Sequence, residues 1–166
     1  NGIFSQVVSR EKLVSRETLG LVDEDQFVFG KRIQLLLDSQ PVYCAAEFES
    51  LSAEILNRYR IAYATLWNES LWSGLLAELM RYFGSLKVRT LWIPQTKPGT
   101  WRILNAKLRH SRLILIAGLM VLLNRSNAAE DVAAELSLPS LKRTPLERIA
   151  LACSSSGDAS LAKLLS

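Results

Sequence analysis

The sequence predicts an all-α fold, a bundle of about six to seven helices with one long central helix, and three observations predict it. Apolar residues recur at helical spacing along most of the chain, while strand-like alternation is nearly absent. Segment starts fall on capping residues, with Asp23 or Asp25, Asn68, Thr100, Thr144 and Asp158 each preceding a periodic apolar run. Across its 166 residues, an apolar fraction of 49% with 22% charged residues suits one globular helical module with short connections.

Residues 1–22 stand apart. Ile3, Phe4, Val7 and Val8 form short apolar pieces that suit either a strand leading out of a preceding domain or a loose lead-in. The expected organisation is therefore a lead-in or domain remnant over 1–22 and a helical bundle domain over 23–166. A start at Asn1 without a basic-then-apolar leader suits a piece of a longer polypeptide, not a secreted precursor.

After Asp23 or Asp25, residues Phe27, Ile33, Leu36 and Leu37 follow helical spacing until Pro41 stops the run. A second helix is expected over 45–59, with Phe48, Leu51, Ile55 and Leu56 inward. Asn68 caps a third, whose stripe is Leu71, Leu75, Leu79 and Tyr82 or Phe83 and whose end is Gly84. The segment IPQTKPGT, 93–100, holds two prolines and a glycine and reads as a loop. Thr100 then caps the long central helix, 101–123. Short helices follow over 128–136, from the capping box Thr144-Pro145-Leu146-Glu147 to Cys153, and from Asp158 to Leu165, with Ser154 to Gly157 as a turn.

The apolar run from Leu113 to Leu123 is eleven residues long, short of the roughly 20 that cross a bilayer, so it reads as a buried helix. Cys44 and Cys153 belong to no Cys-x-x-Cys or Cys/His cluster and read as reduced core thiols of a cytoplasmic protein.

Charge is uneven. The net charge is +4, yet the stretch between Leu79 and Ala129 has no acid and nine cations, leaving 11 cations against all 16 acids elsewhere. Such a basic island suits phosphate, nucleotide, nucleic acid or an acidic partner; a solvated face balanced by acidic helices is the alternative. On a uniform α wheel Arg102, Asn105, Arg109 and Arg112 fall within a sector of roughly 80°, and Lys107 points away. Arginine binds phosphate or carboxylate bidentately, and an interspersed Asn both donates and accepts. The competing reading pairs these arginines with acids such as Glu78 or Glu54.

Other chemistries lack their residues. His110 is the single histidine, which excludes a two-histidine mechanism within the chain. No Gly-rich phosphate loop is present, and Ser154, Ser155 and Ser156 lack a base. Asp23-Glu24-Asp25 is better explained as a helix N-terminus than as a Mg²⁺ site. Trp67, Trp72, Trp92 and Trp101 read as core or interdomain anchors, or as surfaces on which a base stacks.

Four segments carry a resemblance: RIQLLLDSQPVY (32–43), LLAELMRYFGSLK (75–87), WRILNAKLRHSRLILIAGLMVLL (101–123) and TPLERIALAC (144–153). In order and content they resemble blocks of the C-terminal helical domain of bacterial nucleotidyltransferases similar to the uridylyl- and adenylyltransferases of nitrogen signalling. The chain departs from that pattern at Ala77-Glu78, in place of Asn-Asp, and at Arg102-Ile103, in place of Gly-Leu. The resemblance implies a preceding domain of the DNA-polymerase-β type, with a Gly-Ser turn and an Asp-x-Asp pair that holds Mg²⁺ and a nucleoside triphosphate. Gly84-Ser85 has no such pair after it, so the resemblance implies a substrate-positioning or regulatory half without cofactor of its own, partnered by that N-terminal catalytic domain. Arg81, Asn105, Lys107, Arg109 and Arg112 match family positions. Together with Arg102 from the wheel, Arg81, Asn105, Arg109 and Arg112 form the expected nucleotide- or phosphate-binding set. The alternative is a stand-alone helical module whose basic groove engages RNA or an acidic protein.

Overall fold

The computed structural model describes residues 7–15, 17–21, 23–64, 72–96, 98–128 and 138–154. Every regular element among them is helical: α1 (Arg10–Leu13), α2 (Gln26–Asp38), α3 (Ala45–Ala64), α4 (Ser73–Thr96), α5 (Pro98–Lys107), a π turn (Leu108–Arg112), α6 (Leu113–Ala128), α7 (Leu138–Lys142) and α8 (Pro145–Ser154). The all-α expectation holds, and α5, the π turn and α6 follow one another without a break as the long helix. The chain divides into two compact units, Asn1–Gly74 and Leu75–Ser166.

In the first unit Asp25 is the residue that caps α2, its carboxylate accepting from the Phe27 amide at 2.7 Å. Val28, Phe29, Ile33, Leu36 and Leu37 are buried along one stripe. Arg32 lies on that same stripe and is fully buried. Its guanidinium donates to both carboxylate oxygens of Glu24, at 2.5 and 2.6 Å, and its Nε donates to the Tyr59 hydroxyl at 2.9 Å. Burial pulls the Arg32 pKa down, but the Glu24 hydrogen bonds and Tyr59 outweigh it and hold the pKa above its ordinary value. Glu24 is thus neither metal ligand nor simple dipole partner.

Residues 7–9 form no strand, and Val7 is exposed. The chain makes the single turn α1 instead, capped by Ser9, whose hydroxyl accepts from the Lys12 amide, and from it Arg10 reaches α3 and donates to Glu54 at 2.9 Å, Glu47 at 3.3 Å and Ser50 at 3.0 Å. Ile3 and Phe4 lie outside the described residues. Helix α3 runs past 59 to Ala64, burying Ile55, Leu56 and Tyr59 while Phe48 and Leu51 are half-buried. Cys44 is exposed, and Cys153 is half-buried; both are free thiols, so the expectation of core placement is corrected.

In the second unit α4 does not stop at Gly84 but runs to Thr96. Leu75, Leu79 and Tyr82 form its buried stripe, as the sequence predicts. The expected loop 93–100 is largely helical: α4 continues through Pro94 and ends within a turn of it, and Pro98 opens α5, where a missing N–H breaks no intrahelical bond. Thr100 is consequently inside the first turn and not the cap. The expected cap at Asn68 and the helices over 128–136 and 158–165 fall wholly or almost wholly outside the described residues.

Helix α8 starts on the predicted capping box: the Thr144 amide donates to Glu147 Oε2 at 2.7 Å, and the Glu147 amide donates to Thr144 Oγ1 at 3.3 Å. The Thr144 backbone and side-chain bonds hold the Glu147 carboxyl below its ordinary pKa. That contribution is present above the unfolded-state value and is lost as pH falls through the lowered folded value. Arg148 is buried and its guanidinium donates to the Leu141 carbonyl, tying α8 to α7. Helix α6 packs on α8 at Gly118, where a Cβ would stand 2.7 Å from the Pro145 carbonyl oxygen. Ile116, Leu119, Leu122 and Leu123 are buried around this approach.

Two substitutions test this frame. Glu24→Gln leaves a buried guanidinium without its counter-ion and is expected to lower stability by about 3 kcal/mol in urea titration, whereas Glu24→Leu with Arg32→Met recovers much of the loss. Gly118→Ala is expected to destabilise by about 1–2 kcal/mol, because the clash with a backbone atom exceeds the gain in helix propensity. A rise in melting temperature for Gly118→Ala would show that α6 and α8 separate at no cost.

Candidate functional site

The candidate site grows from the long helix. Pro98 starts α5 with a preset φ, and Trp101, Leu104, Asn105 and Leu108 at i, i+3, i+4 and i+7 form its half-buried side. Arg102, Ile103, Ala106 and Lys107 are exposed. The π turn over LRHSR then places Arg109, His110 and Ser111 in solvent, with Arg112 half-buried.

A π turn closes its hydrogen bonds over one more residue than an α turn, so everything beyond it is rotated by roughly 100° from a uniform α-helix. The single sector of Arg102, Asn105, Arg109 and Arg112 therefore does not survive intact. Arg102 and Arg109 stay on one side, since Leu108 alone of the π turn lies between them, and both are exposed. Asn105 and Arg112 are half-buried. Seven residues along the axis separate Arg102 from Arg109, about 10 Å. Two long guanidinium side chains at that spacing can bracket one polyphosphate.

The competing acids are engaged elsewhere. Glu54 pairs with Arg10 at 2.9 Å and with Arg58 at 3.4 Å, and Glu78 pairs with Arg81 at 3.0 Å. Arg81 sits on α4 and pairs with a carboxylate one turn away on the same helix. Among the described residues no ion pair involves Arg102 or Arg109. The stretch between Leu79 and Ala129 places no carboxylate beside either of them in sequence.

An open groove of about 780 Å³ runs along α4, lined by Arg81, Gly84, Ser85, Val88, Arg89 and Trp92. A helix expected to end at Gly84 hides this groove from the sequence. The signal was available in Val88, Leu91 and Trp92, which follow Gly84 at helical spacing off the buried stripe. Trp92 is exposed and Trp72 is buried, so the tryptophans do not share one role.

Among the described residues no group of three or more His, Cys, Asp or Glu could hold a metal ion, and no helix is long and apolar enough to cross a membrane. No protein family, curated protein or solved structure matches the chain.

The contrast between exposed and buried arginines is measurable. Arg102→Ala and Arg109→Ala are expected to change unfolding free energy by no more than about 0.5 kcal/mol, while Arg148→Ala, which orphans the Leu141 carbonyl and empties a buried site, lowers it by about 2–3 kcal/mol. Chemical denaturation of the three variants checks this.

Proposed function

We propose that this chain is the helical substrate-positioning or regulatory half of a nucleotidyltransferase, with Arg102 and Arg109 holding phosphates of the nucleotide or acceptor. The observation that carries the reading is the pair of exposed guanidiniums on one side of the α5–α6 helix, with no carboxylate partner among the described residues. Such groups are free to make bidentate bonds to phosphate oxygens, and the acid-free sequence around them adds no repulsion. The resemblance of the four sequence blocks to the helical domain of nucleotidyltransferases supplies the enzyme class. In that reading a separate domain supplies Mg²⁺, the triphosphate site and the phosphoryl chemistry. This chain's residues bind and orient; none acts as acid or base.

A second reading, a stand-alone helical module for RNA or an acidic protein, is favoured by a different observation: Trp92 is exposed beside Arg89 on α4.

Calorimetric titration of the chain with ATP, UTP and a short single-stranded RNA, with and without Mg²⁺, separates the two. Triphosphate binding that weakens with salt and falls at least about tenfold, or ~1.4 kcal/mol, in the Arg102→Ala/Arg109→Ala variant is expected. If no triphosphate binds at millimolar concentration, or if the double variant binds as well as the parent, direct phosphate recognition by this side is wrong. RNA binding that ignores the double variant would move the function to the second reading.

A further inference from the structure

We infer that the outer face of α4 is a docking surface for a helix of another protein, one that presents apolar side chains flanked by acids. The inference uses neither Arg102 nor Arg109 and stands independently of the nucleotidyltransferase reading.

The shape follows from the spacing. Arg81, Gly84, Ser85 and Val88 stand at i, i+3, i+4 and i+7, and Ser85, Val88, Arg89 and Trp92 repeat that spacing one turn later. Four residues so arranged enclose the hole that receives one side chain of a facing helix. Two holes about 6 Å apart along the axis receive two successive side chains of a helical partner. Gly84 opens the first hole: a Cβ there would meet nothing within 4 Å. A glycine in the middle of a helix lowers helix propensity, and no close neighbour within this chain requires it. An incoming side chain gives it a use.

The chemistry of the rim identifies the partner. Val88, Leu91 and Trp92 are 65%, 62% and 64% exposed, a contiguous apolar strip. Lys87 and Arg89 are exposed on either side and belong to no ion pair among the described residues. The sole carboxylate of α4, Glu78, is 4% exposed and faces Arg81. An apolar strip rimmed by cations complements an amphipathic helix rimmed by acids. A second copy of α4 would set cation against cation. Nucleic acid would use Lys87, Arg89 and Trp92, but it would leave Val88 and Leu91 without an apolar counterpart. The protein helix satisfies all of them.

The test is fluorescence anisotropy of a labelled amphipathic peptide, with leucines at heptad a and d positions and glutamates beside them, titrated with the full chain. A matched peptide with lysines in place of the glutamates and a labelled oligouridylate serve as comparisons. Micromolar binding of the acidic peptide is expected, weakened at least about tenfold by Lys87→Glu/Arg89→Glu, with the lysine peptide then bound in its place. Gly84→Ala is expected to weaken binding similarly while leaving the thermal midpoint unchanged or raised, which separates a filled hole from an unfolded protein. Absence of peptide binding at millimolar concentration, or binding indifferent to both variants, overturns the proposal. So does oligouridylate binding abolished by Trp92→Ala in a chain that ignores the peptides. Arg102→Ala/Arg109→Ala, run alongside, is expected to bind the acidic peptide as the parent does, so failure of the phosphate reading is seen separately.

Discussion

The first unit depends on one buried guanidinium. Removing Arg32 from water is unfavourable by several kcal/mol, and mutual attraction with a carboxylate offsets it only when geometry and further hydrogen bonds are good. Here both oxygens of Glu24 and the Tyr59 hydroxyl take up three of the five N–H donors. Those partners come from the turn before α2 and from the C-terminal half of α3, so one side chain fixes the register of three segments. Sliding α3 by one turn against α2 would remove Tyr59 from Arg32, and fraying the turn before α2 would remove Glu24. Apolar packing of Phe29, Ile33 and Leu37 supplies adhesion without direction. The charged triad supplies the direction, and Arg10 repeats the device at the surface, where solvent screening makes each contact worth far less.

The second unit sets its register by shape. Gly118 lets the Pro145 backbone come to van der Waals distance, and that proline is also the first residue of α8, already fixed in φ and preceded by the Thr144 cap. A rigid start thus meets the one position in α6 that admits it. Arg148, one turn on, donates to the Leu141 carbonyl in a helix of five residues that has few backbone bonds of its own. The same short stretch of α8 therefore anchors both α6 and α7.

Where local chemistry decides the structure, the sequence is legible. Asp25, the stripe from Leu75 to Tyr82 and the Thr144–Glu147 box each depend on residues within a few positions, and each forms as its pattern implies. Gly84 misleads as a helix end because a single glycine lowers helix propensity by only about 1 kcal/mol, and Pro98 misleads as a loop residue because it opens α5. Proline at a first helical position breaks nothing. The Glu24–Arg32 pair was half visible: a cation on the apolar stripe of α2 needs a buried partner, but which carboxylate supplies it depends on how the chain enters the helix. The π turn had no sequence signal, since the half-buried residues on both sides of it fit one continuous α register. Only half of the candidate ladder, Arg102 and Arg109, is therefore displayed together.

That outcome bears on how the basic island works. Its cations were one feature in the sequence, an acid-free run with nine positive charges. In the fold they take at least three roles: Arg81 is neutralised by Glu78, Arg102 and Arg109 point outward from the long helix, and Lys87 and Arg89 edge the apolar strip of α4. A solvated, merely solubilising surface would intersperse both signs, because alternating charge lowers self-repulsion. Keeping acids out of a 50-residue stretch maintains that repulsion in the free chain. Repulsion of this kind is relieved when an anion arrives, and the two exposed sets differ in what they offer it. The arginines of the long helix offer paired donors for phosphate, while α4 offers point charges around holes shaped for side chains. Charge alone assigns neither ligand; the groups between the charges do.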